Sequence, residues 1–343
     1  MEKMEIGKML KNKVIETTET LGVASPIFFK IKPSGKYRCI LDLSDVNLSV
    51  HKEKFKMQSI SAAIALSRHN MWYRSFDLSD AYHTALVHKK SRKFLQFWSG
   101  GQLYQYRGLP NGLSSAPKDF TDLLKPVSNF LNYIGIISII YLDDLLIMNM
   151  DYDTLQAHTS ILCQTLMYLG FLPNLEKSSK APSHQIEFLG FILDSTTQSI
   201  SLPSKKLEKI TQKCTHFSQL TTCTKRQLAS LVGNLVATTH AIIPAPLNFR
   251  HLQLLLINTV SEDWETTIHL TNGAYMDLKW WIKNANAWNG TPWAPEEPTV
   301  NIQTDASLTG WGATSSLGLS AAENWTTQER SKHINHLELI AIQ

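Results

Sequence analysis

The segment Ile134 to Met150, IGIISIIYLDDLLIMNM, constrains this chain more than any other feature. Two apolar runs, each long enough for a buried strand, flank the adjacent carboxylates Asp143 and Asp144. The pattern predicts a tight antiparallel hairpin with the acids at its tip. Adjacent carboxylates repel each other, and a hydrophobic neighbourhood resists their charged form. A turn can hold Asp-Asp for conformational reasons alone. Otherwise a cation must compensate, and hard oxygen ligands favour magnesium or manganese. Asp77 closes a second strand-like run, MWYRSFDL at 71–78. Two distant strands in one sheet could lay Asp77 beside Asp143, which suits a pair of metals and in-line phosphoryl transfer.

The remaining periodicities are mixed. Residues 22–47 predict two strands, SPIFFKI and YRCILDL, around the turn PSGK. A short amphipathic helix is expected at 59–70, and a hairpin at 93–107 turning at Gly100-Gly101. A helix follows Pro117, and Leu155, Leu162, Leu166 and Leu169 share one face of another that Gly170 stops. Strands are expected around 186–202. In 203–219, Leu207, Ile210, Cys214 and Phe217 fall on one helical face and lysines on the other. Thr224 and Gln227 form a capping-box pattern before Leu228, Leu231, Val232 and Leu235. Residues 287–299, rich in Pro and Gly, predict a linker, followed by a strand (VNIQTDAS) and the start of a helix (HINHLELIAIQ). Trp280-Trp281 and Trp288 are expected to pack rather than to stack on a ligand.

The chain's 343 residues suffice for two to four subdomains, and the net charge of +4 conceals its distribution. Residues 201–260 carry seven lysines and arginines against one acid, Glu208, whereas 261–343 carry four against ten acids. The basic stretch is either a phosphate-backbone grip or a solvated helix face. Four cysteines without a CxxC pair argue against a zinc site or a disulfide framework and fit a reducing compartment. The first residues lack the apolar core of a secretory signal, and the longest apolar run is too short for a bilayer. A soluble intracellular protein of cytoplasm or nucleus is expected, neither secreted nor a partner of membranes.

The ordered set SPIFFKIKPSGKYRCILDLSDVN, FDLSDAY, GLPNGLSSAPKDF, YLDD, NLEKS and FLGF resembles the successive motifs of retroelement reverse transcriptases, over residues 25 to 191. The resemblance implies an α+β right hand. Its fingers would be 1–75 with 88–107, its ferredoxin-like palm 76–202 without that insertion, its helical thumb 203–260, and a connection 261–298 would follow. It also implies an RNA- and DNA-directed DNA polymerase using a primed template, dNTPs and two Mg²⁺ ions, with Mn²⁺ as a substitute. Asp77, the Leu78 carbonyl and Asp143 would hold the metals, with Asp144 as the adjacent carboxylate. Lys32 and Arg38 match the cations that clamp the incoming triphosphate, although Lys30 and Lys36 stand close to Lys32. Tyr82 matches the aromatic that crowds a ribose 2′-hydroxyl, and Lys177 the lysine that protonates pyrophosphate. Asn111 and Gly112 match the dNTP-contacting loop, where Asn111 keeps the amide of the Gln common there on a shorter arm. Phe188, Leu189, Gly190 and Phe191 match the primer-grip hairpin.

TDASLTGWGA and HINHLELIAI resemble the opening of an RNase H domain, with Asp305 and Glu338 as its first two metal-binding acids. Because the family needs further acids downstream, 299–343 is expected to be a truncated, inactive α/β segment. KRQLASLVGNLVATTHAIIPAPLNFR and LKWWI are most similar to DIRS-type retrotransposons that encode a tyrosine recombinase. Two other functions compete with polymerisation. One is a decayed product that only binds nucleic acid through 201–260, against which the intact aspartates argue. The other is a nuclease acting through Asp305 and Glu338.

Overall fold

The apolar hairpin around Asp143-Asp144 is the centre of the larger of two units, Met1–Trp293 and Ala294–Gln343. The structure is a computed structural model that describes residues 2–31, 37–294 and 298–343. The chain begins with α1 (Glu2–Lys11), β1 (Ile15–Thr17), the hairpin β2 (Ile27–Ile31) and β3 (Tyr37–Leu41), α2 (Ser44–Ser49) and α3 (Ile60–Leu66). Then come β4 (Trp72–Asp77), α4 (Ala81–Thr84), the hairpin β5 (Gln96–Ser99) and β6 (Gln102–Tyr106), and α5 (Ala116–Tyr133). The hairpin β7 (Ile137–Tyr141) and β8 (Asp144–Asn149) leads to α6 (Tyr152–Tyr168), which is followed by β9 (Gln185–Phe188), β10 (Phe191–Asp194) and β11 (Ser199–Ser201).

A three-stranded sheet of order β4-β8-β7 carries both sequence-predicted aspartate strands. Successive residues of a strand face opposite sides, so a run that is apolar throughout needs cover on both. β8 has it. Leu145 and Ile147 pack with Phe120, Leu124 and Leu162 of α5 and α6. Leu146 and Met148 pack on the other side, with Ile186, Phe191 and Leu193 of the β9–β10 hairpin and the helices beyond it. α5 supplies its share through Ala116, Phe120, Leu124, Val127 and Leu131, a stripe at helical spacing. α6 starts on Asp151, which accepts from the Thr154 N–H at 2.7 Å, and buries Leu155, Thr159, Leu162 and Leu166. Leu169 departs from the expected stripe: it is the C-cap residue and is exposed, because the helix has already ended.

The N-terminal lobe has its own core, in which Ile15, Leu41, Phe97 and Tyr106 meet beside the sheet β1-β6-β5. Ile60, Ala63, Met71 and Tyr73 pack instead with the β7–β8 layer. These four residues, within the expected fingers 1–75, thus share the core of the β7–β8 layer.

After β11 the chain is helical: α7 (Ser204–Ser218), β12 (Thr222–Thr224), α8 (Lys225–Val236), α9 (Arg250–Asn258), β13 (Thr267–His269), α10 (Asn272–Asn284) and β14 (Thr291–Pro292). α7 buries Leu207, Ile210, Cys214 and Phe217, and α8 is entered through a full capping box of Thr224 and Gln227. Residues 261–293 are more than a connection. β13 pairs with β12, Trp281 is wholly buried with its indole N–H on the Asn248 carbonyl at 2.8 Å, and β14 pairs with β11. The first part of the expected linker is thus fastened to the core by β14 and by the partly buried Trp293, whereas Trp288, expected to pack, stays half exposed. Among the described residues no helix is long and apolar enough to cross a membrane.

The smaller unit is an antiparallel meander, β15 (Ile302–Ala306), β16 (Gly310–Ser315) and β17 (Ser320–Asn324), followed by α11 (Ile334–Ala341). Trp325, Leu337 and Ala341 form its small core with Ala306 and Trp311.

Candidate active site

The carboxylates lie where the two covering layers run out. β8 begins at Asp144, so the two-residue turn between β7 and β8 is Leu142-Asp143, and only Asp143 is strictly at the tip. Leu142 has φ 55°, a left-handed conformation that costs a side-chain-bearing residue roughly 1–3 kcal/mol. The strain is held from two sides. Leu142 packs against the α5–α6 cluster, and the Leu78 N–H donates to the Asp143 carbonyl at 2.9 Å. In the antiparallel register Asp77 is the direct partner of Asp144, which is itself the partner of Tyr141. Three acids from two distant segments thereby share one end of one sheet.

Their charges oppose one another. Burial, and then the neighbouring Asp143 and Asp77 carboxylates, push Asp144 up from the usual carboxylate range to about 6, with Lys177 pulling the other way. Lys177 holds Asp77 through both oxygens, at 2.9 and 3.0 Å. Among the described residues no group of three acidic, histidine or cysteine side chains is set to hold an ion as it stands. The donor set nonetheless fits a divalent cation in chemistry: hard carboxylate oxygens, partly desolvated and short of positive charge.

Lys177 reaches this position because 172–179 docks along the free edge of β4. The Ser79 N–H donates to the Leu172 carbonyl at 2.8 Å, the Asn174 N–H to the Asp77 carbonyl at 2.7 Å, and the Asp77 N–H to Ser178 Oγ at 3.2 Å. Asn174 and Ser178 were not singled out from the sequence. A short polar run after a helix carries no periodic signal, and only the β4 edge gives them a role.

Tyr82 lies on α4, half-buried, with its ring edge-on to Phe120 at 5.3 Å. Its phenol is raised by burial and then by the charges of Asp143 and Tyr141. Leu78 is buried immediately after β4. Asn111 and Gly112 lie in the loop before α5. Gly112 has φ 100°, and a Cβ there would come within 3.3 Å of the Leu41 carbonyl. Asn47, also unpredicted, fixes that loop by donating to the Gly112 carbonyl at 2.9 Å and accepting from the Ser114 N–H at 2.8 Å. Arg38 lies on β3, in register with Lys30 on β2. Lys32 lies outside the described residues.

Phe188 and Phe191 are buried register partners at the end of β9–β10, with Leu189 and Gly190 as the turn between them. In the smaller unit Asp305 is exposed on β15 and Glu338 half-buried on α11. The basic segment divides. Lys206 donates to the Gly190 carbonyl, Lys225 to the Thr259 and Ser261 carbonyls, and Arg226 pairs with Glu265 at 2.6 Å. Lys205, Lys209 and Lys213 form an exposed row along α7.

Residues 30–193 match the family described as "Reverse transcriptase (RNA-dependent DNA polymerase)". Just under half of the chain is therefore similar to reverse transcriptase domains. The similarity extends to retroelement polyproteins. The chain is 26% identical over 213 residues, 61% of its length, to the retrovirus-related Pol polyprotein from transposon opus of Drosophila melanogaster, of which it covers 21%. It is 27% identical over 190 residues, 54% of its length, to the Pro-Pol polyprotein of simian foamy virus type 3, of which it covers 16%. The chain thus spans about a fifth of these relatives' length at most. Among solved structures it is similar to the foamy viral protease-reverse transcriptase in complex with double-stranded DNA (TM-score 0.72, 21% identity, 99% of this chain and 58% of that one). The same viral protein with an RNA/DNA hybrid gives a TM-score of 0.66 at 20% identity, over 98% of this chain and 44% of that one. The shared architecture is the right-hand polymerase fold, of mixed α/β content. The site just described stands inside the matched residues, between 77 and 177.

Proposed function

We propose that the chain is an RNA- and DNA-templated DNA polymerase of a retroelement, working through two divalent metals at Asp77, Asp143 and Asp144. The convergence of these three acids at the open end of the β4-β8-β7 sheet carries this reading. Two Mg²⁺ ions bound there would lower the pKa of the primer 3′-hydroxyl and balance the charge of the leaving pyrophosphate. The chain's own residues do the rest. Lys177, already beside Asp77, is placed to give a proton to pyrophosphate. Tyr82, held edge-on by Phe120, crowds the sugar and favours dNTPs. Arg38 and Lys32 grip the triphosphate, with Asn111 and Gly112 beside the nucleotide. The Phe188–Phe191 hairpin supports the primer end, and the lysine row of α7 meets phosphates.

The viral structures to which the fold is similar hold double-stranded DNA and an RNA/DNA hybrid, which supports a primed template as the partner here. The strand order of the smaller unit, with Asp305 on the first strand and Glu338 on the helix, supports the opening of an RNase H-like fold. The motifs at 225–250 and 278–282 favour a DIRS-type element.

The test is primer extension on poly(rA)–oligo(dT) with magnesium, comparing wild type with Asp143→Ala. Extension that needs metal, prefers dNTPs and is lost in the variant is expected. Salt-sensitive binding of the template without any synthesis would leave a nucleic-acid-binding product instead.

A further inference from the structure

Lys206 is spent differently from its neighbours on α7. It belongs to the first turn of the helix, where a positive charge opposes the helix dipole and is normally disfavoured. It is half-buried, whereas Lys205 and Lys209 are exposed, and burial lowers its pKa against the pull of Glu187. Among the described residues no salt bridge compensates it. Its Nζ instead donates to the Gly190 carbonyl at 3.1 Å and lies 4.6 Å from the centre of the Phe191 ring.

Both contacts fall on one feature, the turn between β9 and β10. Leu189 (φ 50°) and Gly190 (φ 73°) are both left-handed there, as a two-residue turn matched to the strand twist requires. A Cβ on residue 190 would come within 3.3 Å of the Lys206 ammonium, so the glycine also makes room for it. A desolvated ammonium next to a strained turn, on the wrong end of a helix, is costly unless it holds something in place.

We propose that Lys206 is a positioning residue that latches the β9–β10 turn to the first turn of α7, so that the hairpin and the helix present a fixed surface to the primer end. This rests on the reading of Phe188–Phe191 as the primer support. Loss of the latch then misplaces the primer terminus without touching the incoming nucleotide.

The experiment uses the whole chain with Lys206→Met, which keeps an apolar stem but loses the donor and charge, and Lys206→Arg, which keeps both. Melting curves establish that each variant is folded. Hydrogen exchange at residues 189–191 tests the latch itself, and it is expected to quicken about tenfold in Lys206→Met and far less in Lys206→Arg. Single-turnover extension at saturating dNTP is expected to slow by a similar factor, with the KM for dNTP unchanged. A 2-aminopurine at the primer 3′ end should report a more mobile terminus. The salt dependence of template binding should keep its slope. Unchanged exchange in Lys206→Met overturns the latch whatever happens to synthesis. A slope smaller by about one overturns it too, because Lys206 would then be a phosphate contact. Faster exchange with wild-type extension and primer signal would instead sink the assignment of the hairpin to the primer.

Discussion

Two hairpins of the larger unit are built alike and held differently. The β7–β8 and β9–β10 turns each have two residues, each begins with a leucine in the left-handed region (Leu142, φ 55°; Leu189, φ 50°), and each lies beside a lysine from later in the chain. At the first, Lys177 is 64% exposed and pairs with the Asp77 carboxylate, itself 14% exposed. At the second, Lys206 is half-buried and binds a neutral carbonyl. An ion pair with so open a partner contributes about 0–1 kcal/mol, so Lys177 yields readily to another cation. A half-buried ammonium bonded to a carbonyl is less readily replaced by water and so helps to fix the backbone it touches. The difference teaches that the first turn displays exchangeable charge and the second displays a rigid surface.

The comparison breaks most directly at the acids. Asp77→Ala or Asp143→Ala should cut metal-dependent extension at least about 1,000-fold, roughly 4 kcal/mol of barrier, while leaving template binding near wild type. A loss confined to binding would mean that the first turn is not the reacting end. Gly190→Ala probes the second turn. The left-handed φ disfavours any side chain, and the methyl meets Lys206, so unfolding midpoints in urea should show a loss of about 1 kcal/mol or more.

Asp144 offers a pH test of the first turn in chelator-treated protein. Its folded pKa of about 6 lies above the unfolded value, so its favourable contribution is complete in acid and is lost as pH rises through about 6. Asp144→Asn should therefore be more stable than wild type at pH 7 to 8, with the gain shrinking as pH falls from about 6 toward 4. A constant difference across that range would remove the charge argument. The smallest effect is expected away from both turns: Thr224→Ala removes the α8 capping box and should cost about 1 kcal/mol, with the chemistry of extension unchanged.

Much of the fold was legible because it is periodic. The stripe Leu207, Ile210, Cys214, Phe217, the Thr224–Gln227 cap and the apolar runs around Asp143 each carry their geometry in local spacing. What needs three dimensions was not. The apposition of Asp77 with Asp144 depends on β8 lying between β4 and β7, which spacing cannot express. Asn174 and Ser178 act only through the β4 edge, and Asn47 only through the Gly112 loop. The lysine-rich stretch resembled one uniform surface, yet Lys206, Lys225 and Arg226 are engaged by the protein itself. Residues 287–293 resembled a linker because Gly290 and Pro292 open a stretch that runs on to Pro295 and Pro298, while β14 pairing with β11 fastens them down.

The central claim is that Asp77, Asp143 and Asp144 jointly bind divalent cations. Titration of Mn²⁺ into the chelator-treated chain, followed by electron paramagnetic resonance, measures that directly. Wild type should bind Mn²⁺ at neutral pH, with affinity sharply reduced in Asp77→Asn and in Asp143→Asn. Binding that is equal in all three proteins would contradict the account.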